Sequence, residues 1–257
     1  MPSNLPRQFW SALRDWWREQ PRDQSFVRTS TLLIDKLWES IRESTPERRR
    51  QRYGDMEYDW ENRVNTTSGT VGWRERLLGS FHSPYQPTEP GLFHEMMASL
   101  PIDFDGFTFI DLGSGKGRTL LMASHYPFRR IVGVELITEL HRAAAANIRK
   151  YQNPTQRCRQ IESIAADARK YEFPAEPLVL YLFNPLPERA LGEVLERLQK
   201  SLARTPRPVW VVYHNPLLEA TLGASAFLEK VGGTSQYSLY RTTSGANAST
   251  DWAHIQT

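Results

Sequence analysis

The sequence predicts an α/β fold, a doubly wound and mostly parallel sheet preceded by a helical N-terminal extension. Two observations predict it. From residue 107 onward, short runs rich in Val, Ile, Leu and aromatic residues alternate with longer stretches of helical period, and such alternation builds a parallel sheet with crossover helices. The first of those runs, FTFIDLGSGKG at 107–117, passes abruptly from apolar residues into glycines at alternate positions. It reads as a buried strand entering a tight turn, and the helical stretch RTLLMASHY follows without a spacer.

The totals bound the possibilities. A chain of 257 residues, 40% of them hydrophobic, can bury the core of one large or two small domains. Its single cysteine, Cys158, excludes an intramolecular disulfide and a cysteine-rich zinc site, so a reducing compartment, the cytoplasm, is expected, and no metal site. No apolar run is long enough to cross a bilayer, and MPSNLPRQFW at the start has no signal-like apolar core. Without secretion, the glycosylation patterns at Asn65 and Asn247 carry no meaning. The net charge of +3 is small and dispersed. Its one basic run, ERRRQR at 47–52, reads as a solvated helix face, and nucleic acid is not the expected partner.

In chain order, residues 1–45 are aromatic and amphipathic. Trp10, Leu13 and Trp17 recur at helical spacing, as do Leu33, Leu37, Trp38 and Ile41, giving two helices separated by Pro21 and closed by Thr45-Pro46. Their Trp-rich face is expected to pack on the α/β domain or on a second subunit, making an oligomer through these helices open; docking on a membrane surface is the weaker alternative. Residues 53–72 have no sustained period and read as an ordered loop. As a lid it would offer Asp59, Trp60, Arg63, Thr66 and Thr67 to a substrate, although a structural role is the commoner fate of each. In FHSPYQPTE at 81–89, Pro84 and Pro87 fix an extended path, and Thr88 is placed to cap a helix over 90–100. Strands are expected over 107–112, 130–135, 160–165, 178–183 and 208–214, with helices over 117–126, 138–151, 187–203 and 216–229.

Spacing separates the pockets that use a glycine turn. A P-loop needs a glycine five residues before Gly115, where Ile110 stands, and Ser or Thr after Lys116, where Gly117 stands. A dinucleotide turn, G-x-G-x-x-G, would need its last glycine at Arg118. What remains is Asp111 closing the strand, glycines at 113, 115 and 117, and a second strand, RIVGVE, ending in Glu135. A carboxylate there faces the same crevice and can accept both hydroxyls of a ribose, as it also would in a dehydrogenase.

This constellation resembles the class I S-adenosylmethionine-dependent methyltransferases, whose first motif is matched by residues 111–117 and whose ribose-binding acid by Glu135. The wording DLGSGKGR with GVE is similar to the lysine-directed, non-SET branch and related bacterial enzymes. The resemblance implies a seven-stranded sheet with an antiparallel C-terminal hairpin, here from Gly232-Gly233 and QYSLYRT, and S-adenosyl-L-methionine as cofactor. It divides the chain into a helical extension with a substrate-lid loop at 1–79, a cofactor-binding domain at 80–243 and a flexible tail at 244–257.

Cofactor contacts are implied at Asp111, Gly113, Ser114, Gly115, Gly117, Glu135 and Leu136. At the third strand end Asp167 would accept the adenine amino group and the Ala168 amide face a ring nitrogen, with a simple helix cap as the competing role. Tyr85 and Thr88 resemble the segment that covers the cofactor methionine, with a proline-stiffened connector that packs Tyr85 on the sheet as an equal alternative. The fourth strand ends in Asn184-Pro185-Leu186-Pro187, similar to the [DN]-P-P-[YF] motif of amino-group methyltransferases, in which the Asn side chain and the next carbonyl accept hydrogen bonds from the target nitrogen. Leu186 and Pro187 depart from that motif, leaving Phe183 as the ring to substitute. His214, Tyr85 and His82 are the groups to test as a base for an oxygen nucleophile, although a satisfied strand-end histidine is the commoner fate of His214 and a bystander that of His82. The resemblance thus implies methyl transfer to an amine, a protein lysine first, with a small-molecule amine or hydroxyl as the alternative. A silent scaffold that keeps the fold, or a nicotinamide dehydrogenase, are the competing classes.

Overall fold

The computed structural model describes residues 56–67, 86–183 and 186–243, with the single position 14 besides. The rest of the expected N-terminal helices, His82, Tyr85, Asn184, Pro185 and the tail 244–257 lie outside the described residues. Helices α1 (Met56–Asn62) and α2 (Pro90–Ala98) precede β1 (Thr108–Leu112) and α3 (Arg118–Ala123). There follow β2 (Arg130–Glu135), α4 (Thr138–Lys150), β3 (Ile161–Ala165), β4 (Leu178–Phe183) and α5 (Glu188–Arg204). The chain closes with β5 (Val209–His214), α6 (Glu219–Gly223), β6 (Leu228–Gly233) and β7 (Tyr237–Thr242).

The strands form one seven-stranded sheet in the order β3-β2-β1-β4-β5-β7-β6. The first five run parallel, and β7 lies antiparallel to both β5 and β6, so the expected doubly wound sheet with a C-terminal hairpin is what the chain builds. Strand order reverses between β1 and β4, and the crevice at their carboxyl ends is where such sheets bind ligands.

Both faces of the central strands are covered, which is why they read as continuous apolar runs. Against one face, α5 lays Leu191, Val194, Leu195, Leu198 and Leu202, a single helical stripe, on Ile110, Leu180 and Val211. Against the other, α2 and α3 place Phe93, Met96, Met97 and Leu120 on Phe109, Tyr181 and Val212. Each such fully buried side chain contributes about 1.5–3 kcal/mol. The edge strand β3 is only half-buried.

Three expectations are corrected. The helix expected over 216–229 is confined to Glu219–Gly223, because the chain leaves β5 through Asn215 in a left-handed conformation (φ 50°) and Pro216, and pairs as β6 from Leu228. The helix over 117–126 spans only Arg118–Ala123. Thr88 does not cap α2. Glu89 does, its carboxylate accepting the N–H groups of Gly91 (2.9 Å) and Leu92 (2.7 Å), while Thr88 turns inward. Among the described residues no helix is long and apolar enough to cross a membrane, and no group of three or more His, Cys, Asp or Glu side chains could hold a metal ion.

Candidate functional site

The crevice is built first by the turn between β1 and α3. Gly113, Gly115 and Gly117 all take positive φ (84°, 54° and 83°), which side chains with a Cβ rarely adopt. Val134 O accepts the N–H groups of Gly113 (2.8 Å) and Ser114 (3.2 Å), and Ser114 O accepts that of Gly117 (2.8 Å). Gly133, opposite Asp111 in the sheet, makes room beneath: a Cβ there would stand 2.5 Å from Ser114 Oγ and 2.6 Å from a Leu120 methyl.

Two buried carboxyls flank the turn. Glu135 Oε2 accepts the Gly115 N–H (2.8 Å) and its Oε1 the Ile137 N–H (2.7 Å), so each oxygen retains acceptor capacity toward the crevice. Burial pushes its pKa up to about 7 against the pull of the Ile137, Gly115 and Leu136 amides. Asp111 accepts the Thr119 hydroxyl. Burial likewise raises it to about 7, with the Thr119 bond opposing and the Glu135 charge adding.

At the end of β3, Asp167 caps a 3₁₀ turn over Ala168–Lys170 by accepting the Arg169 N–H (2.9 Å), and the Arg169 guanidinium grips the same carboxylate (Nη2 2.7 Å, Nε 3.0 Å). Burial works to raise its pKa, but the Arg169 hydrogen bonds and charge prevail and leave it lowered. The expected alternative of a cap is present, and the Ala168 amide lies beside it.

The ends of β4 and β5 carry a buried polar chain. Tyr181 Oη is hydrogen-bonded to Thr88 Oγ1 (2.8 Å) and to His214 Nδ1 (2.8 Å). Phe183, paired with His214 in the sheet, stacks on its ring at 3.8 Å between centroids. His214 is 7% exposed, and burial lowers its pKa to about 4, so the ring is neutral near pH 7. Leu186 and Pro187 lead into α5, with Pro187 at its N-cap.

Of the expected lid residues, Asp59, Thr66 and Thr67 are buried against the glycine turn, whereas Trp60 (85% exposed) and Arg63 face outward. Sequence reasoning missed Tyr181, a hydroxyl hidden inside the run LVLYLF, whose signal was a polar atom in a central strand needing a partner. It also missed Thr119, Lys116, Arg118 and Asn147. The two basic residues have a visible consequence: the Lys116 ammonium is turned onto Thr67 O (2.9 Å) and the Arg118 guanidinium onto Asp59, not into the crevice.

No family model and no curated protein matches the chain. Among solved structures it is similar to an RNA methyltransferase from Salinibacter ruber in complex with S-adenosyl-L-homocysteine, at 21% identity over 62% of this chain and 93% of that one, with a TM-score of 0.41. It is also similar to a dimethyladenosine transferase from Plasmodium falciparum (12% identity, 62% of this chain, 64% of that one, TM-score 0.44). A third is a ribosomal protein methylase from Lactobacillus delbrueckii subsp. bulgaricus (13% identity, 60% and 75%, TM-score 0.40).

Proposed function

We propose that the chain is an S-adenosylmethionine-dependent methyltransferase acting on an amine, with a protein lysine as the first acceptor to test and a small-molecule amine next. The observation that carries this reading is the convergence of Asp111, the three left-handed glycines and Glu135 at the switch point between β1 and β4. These residues fit the cofactor. The glycines leave the backbone bare for close approach, Glu135 has acceptor capacity left for a diol, and a cation would favour ionisation of two carboxyls that burial holds near neutrality.

When bound, the cofactor would supply a methyl group on a sulfonium centre to the lone pair of an amine whose ammonium form has first lost its proton to water. The chain's own residues position and exclude water. Glu135 would orient the sugar, Asp111 would stand beside the cationic end, and Gly113, Ser114, Gly115, Gly117 and Leu136 would line the turn side. Asp167 and the Ala168 amide would hold the base. Asn184 and Pro185 would orient the acceptor nitrogen, and Tyr85 and Thr88 would cover the methionine end.

His214 bears on the acceptor. A general base works best with a pKa near the operating pH. An imidazole lowered to about 4, with Nδ1 engaged by Tyr181, is a weak one; an ammonium can lose its proton to water before it enters the site, whereas a hydroxyl needs a base within it, so an amine is favoured. Lys116 and Arg118, directed away from the crevice, weigh against a pyrophosphate there and so against a dehydrogenase.

The test is calorimetry with S-adenosylmethionine, S-adenosylhomocysteine and NAD on the purified chain. Binding of the first two without NAD supports the reading, NAD binding alone replaces it with the dehydrogenase, and binding of none leaves the scaffold. An Asn184→Ala variant should then keep cofactor affinity and lose turnover.

A further inference from the structure

The glycine turn is gripped from outside the crevice by a segment far from it in sequence. Helix α1 ends at Asn62; Arg63 after it takes a left-handed conformation (φ 55°), and Val64 N–H returns to Asp59 O (3.0 Å). The chain doubles back, so that Asp59 Oδ2 accepts the Thr66 and Thr67 N–H groups (2.6 and 2.8 Å) and Oδ1 the Thr66 hydroxyl. Onto this knot Arg118 docks: its Nε donates to Thr66 Oγ1 (2.6 Å), its Nη2 lies 3.4 Å from Asp59 Oδ1, and its guanidinium carbon sits 4.8 Å over the Tyr58 ring. Lys116 Nζ donates to Thr67 O (2.9 Å) and Asn65 Oδ1 (3.2 Å). Asn147 of α4 closes the assembly, donating to Asn65 O (2.9 Å) and Lys116 O (3.0 Å) and accepting the Asn65 N–H (2.9 Å).

We propose that residues 56–67 are a clasp that fixes the glycine turn in its ligand-ready geometry, with Asp59 and Arg118 as its positioning pair. The proposal rests on the reading of the turn as a cofactor site. Glycines in the left-handed region lose the most conformational freedom on ordering, and the turn alternates them with only two side chains that could anchor it, Ser114 and Lys116. Ser114 lies over Gly133 on the inner side. Lys116 and Arg118, on either side of Gly117, carry the outer anchor, and both are nearly fully buried. A turn ordered before the ligand arrives spares binding that ordering. A buried ion pair adds little net stability, but removing one partner strands a buried charge, so the pair's geometry is costly to abandon.

The test compares the full-length wild type, Asp59→Asn and, as a control, Leu198→Ala, which opens a cavity beneath α5 on the opposite face of the sheet. Three readouts are taken: affinity for S-adenosylhomocysteine, melting temperature, and amide hydrogen exchange at Gly115 in the ligand-free protein. Asp59→Asn should weaken affinity by about tenfold, a typical coupling between linked sites, and speed Gly115 exchange. Leu198→Ala should lower the melting temperature at least as far with affinity unchanged. Unchanged affinity in Asp59→Asn, or an equal loss in Leu198→Ala, overturns the clasp. Should Asp59→Asn fail to fold, Lys116→Met, which removes the hydrogen bonds to Thr67 O and Asn65 Oδ1, is judged by the same criteria with a smaller loss expected. A wild type that binds no S-adenosylhomocysteine refutes the cofactor reading instead, and Gly115 exchange then decides the clasp alone.

Discussion

Glu135 and Gly115 meet across the crevice at 2.8 Å, the carboxylate that closes β2 accepting the N–H at the centre of the glycine turn. One side chain therefore both shapes the turn and lines the crevice. Glu135→Gln keeps the size but leaves one oxygen, and its amide N–H₂ would confront the N–H of either Gly115 or Ile137. Hydrogen bonds to charged groups contribute about 1.5–3 kcal/mol, so cofactor affinity should fall roughly 10- to 100-fold by calorimetry. An affinity equal to wild type removes the ribose assignment.

Two carboxyls held near pKa 7 make binding dependent on pH. Asp111 and Glu135 have folded values raised above their unfolded ones, so the stability they contribute is fully present below about pH 4 and is lost as pH rises through about 7. A cationic ligand reverses that loss by favouring the ionised forms. Affinity for S-adenosylmethionine should therefore climb between pH 6 and 8 by up to about tenfold per carboxyl, because the ionised fraction of a group with a pKa of about 7 rises about tenfold across that window. S-adenosylhomocysteine, which lacks the sulfonium charge, should show the shallower slope, and parallel slopes for the two ligands would show that neither carboxyl senses that charge.

The slot under the turn allows a stability test. Gly133→Ala puts a methyl 2.5 Å from Ser114 Oγ and 2.6 Å from a Leu120 methyl, distances that force the turn or α3 to move. Overpacking of this kind costs about 1–3 kcal/mol. A lower melting temperature together with weakened cofactor binding is expected, and a neutral substitution would mean that Ser114 has free space to move into.

The glycine turn and its two acids were legible in the sequence because their requirement is local: positive φ at alternate positions is encoded by residue type, and an acid at a strand end by spacing. The five parallel strands were legible for the same reason, each being a short apolar run between turns. The clasp was not, since Asp59 and Arg118 are 59 residues apart and nothing in either neighbourhood names the other. Helix α6 was overextended because FLEKVGG has apolar residues compatible with either period, and its pairing with β7 decides. At α2, Glu89 displaced Thr88 as cap because the Thr88 hydroxyl found a buried partner in Tyr181.

The Tyr181–His214 pair separates a positioning histidine from a base. In His214→Asn the shorter amide can still reach toward Tyr181 Oη in place of Nδ1, while the ring stacked on Phe183 is lost. If His214 holds Tyr181 and through it Thr88, turnover should stay within about threefold of wild type, whereas loss of a general base would cost about 10²–10⁴-fold. Tyr181→Phe is the complementary variant. It leaves Thr88 and His214 Nδ1 without their shared partner in a buried site, a penalty of about 1–3 kcal/mol, and should impair cofactor binding although the imidazole is intact. The folded pKa of His214, about 4, lies below its unfolded value of 6.5, so its contribution to stability is present above pH 6.5 and lost as pH falls toward 4. Melting temperature measured across that window should drop less steeply in His214→Asn than in wild type. An Asn variant that loses turnover a hundredfold while Tyr181→Phe retains it would return His214 to the role of base and, with it, favour a hydroxyl acceptor.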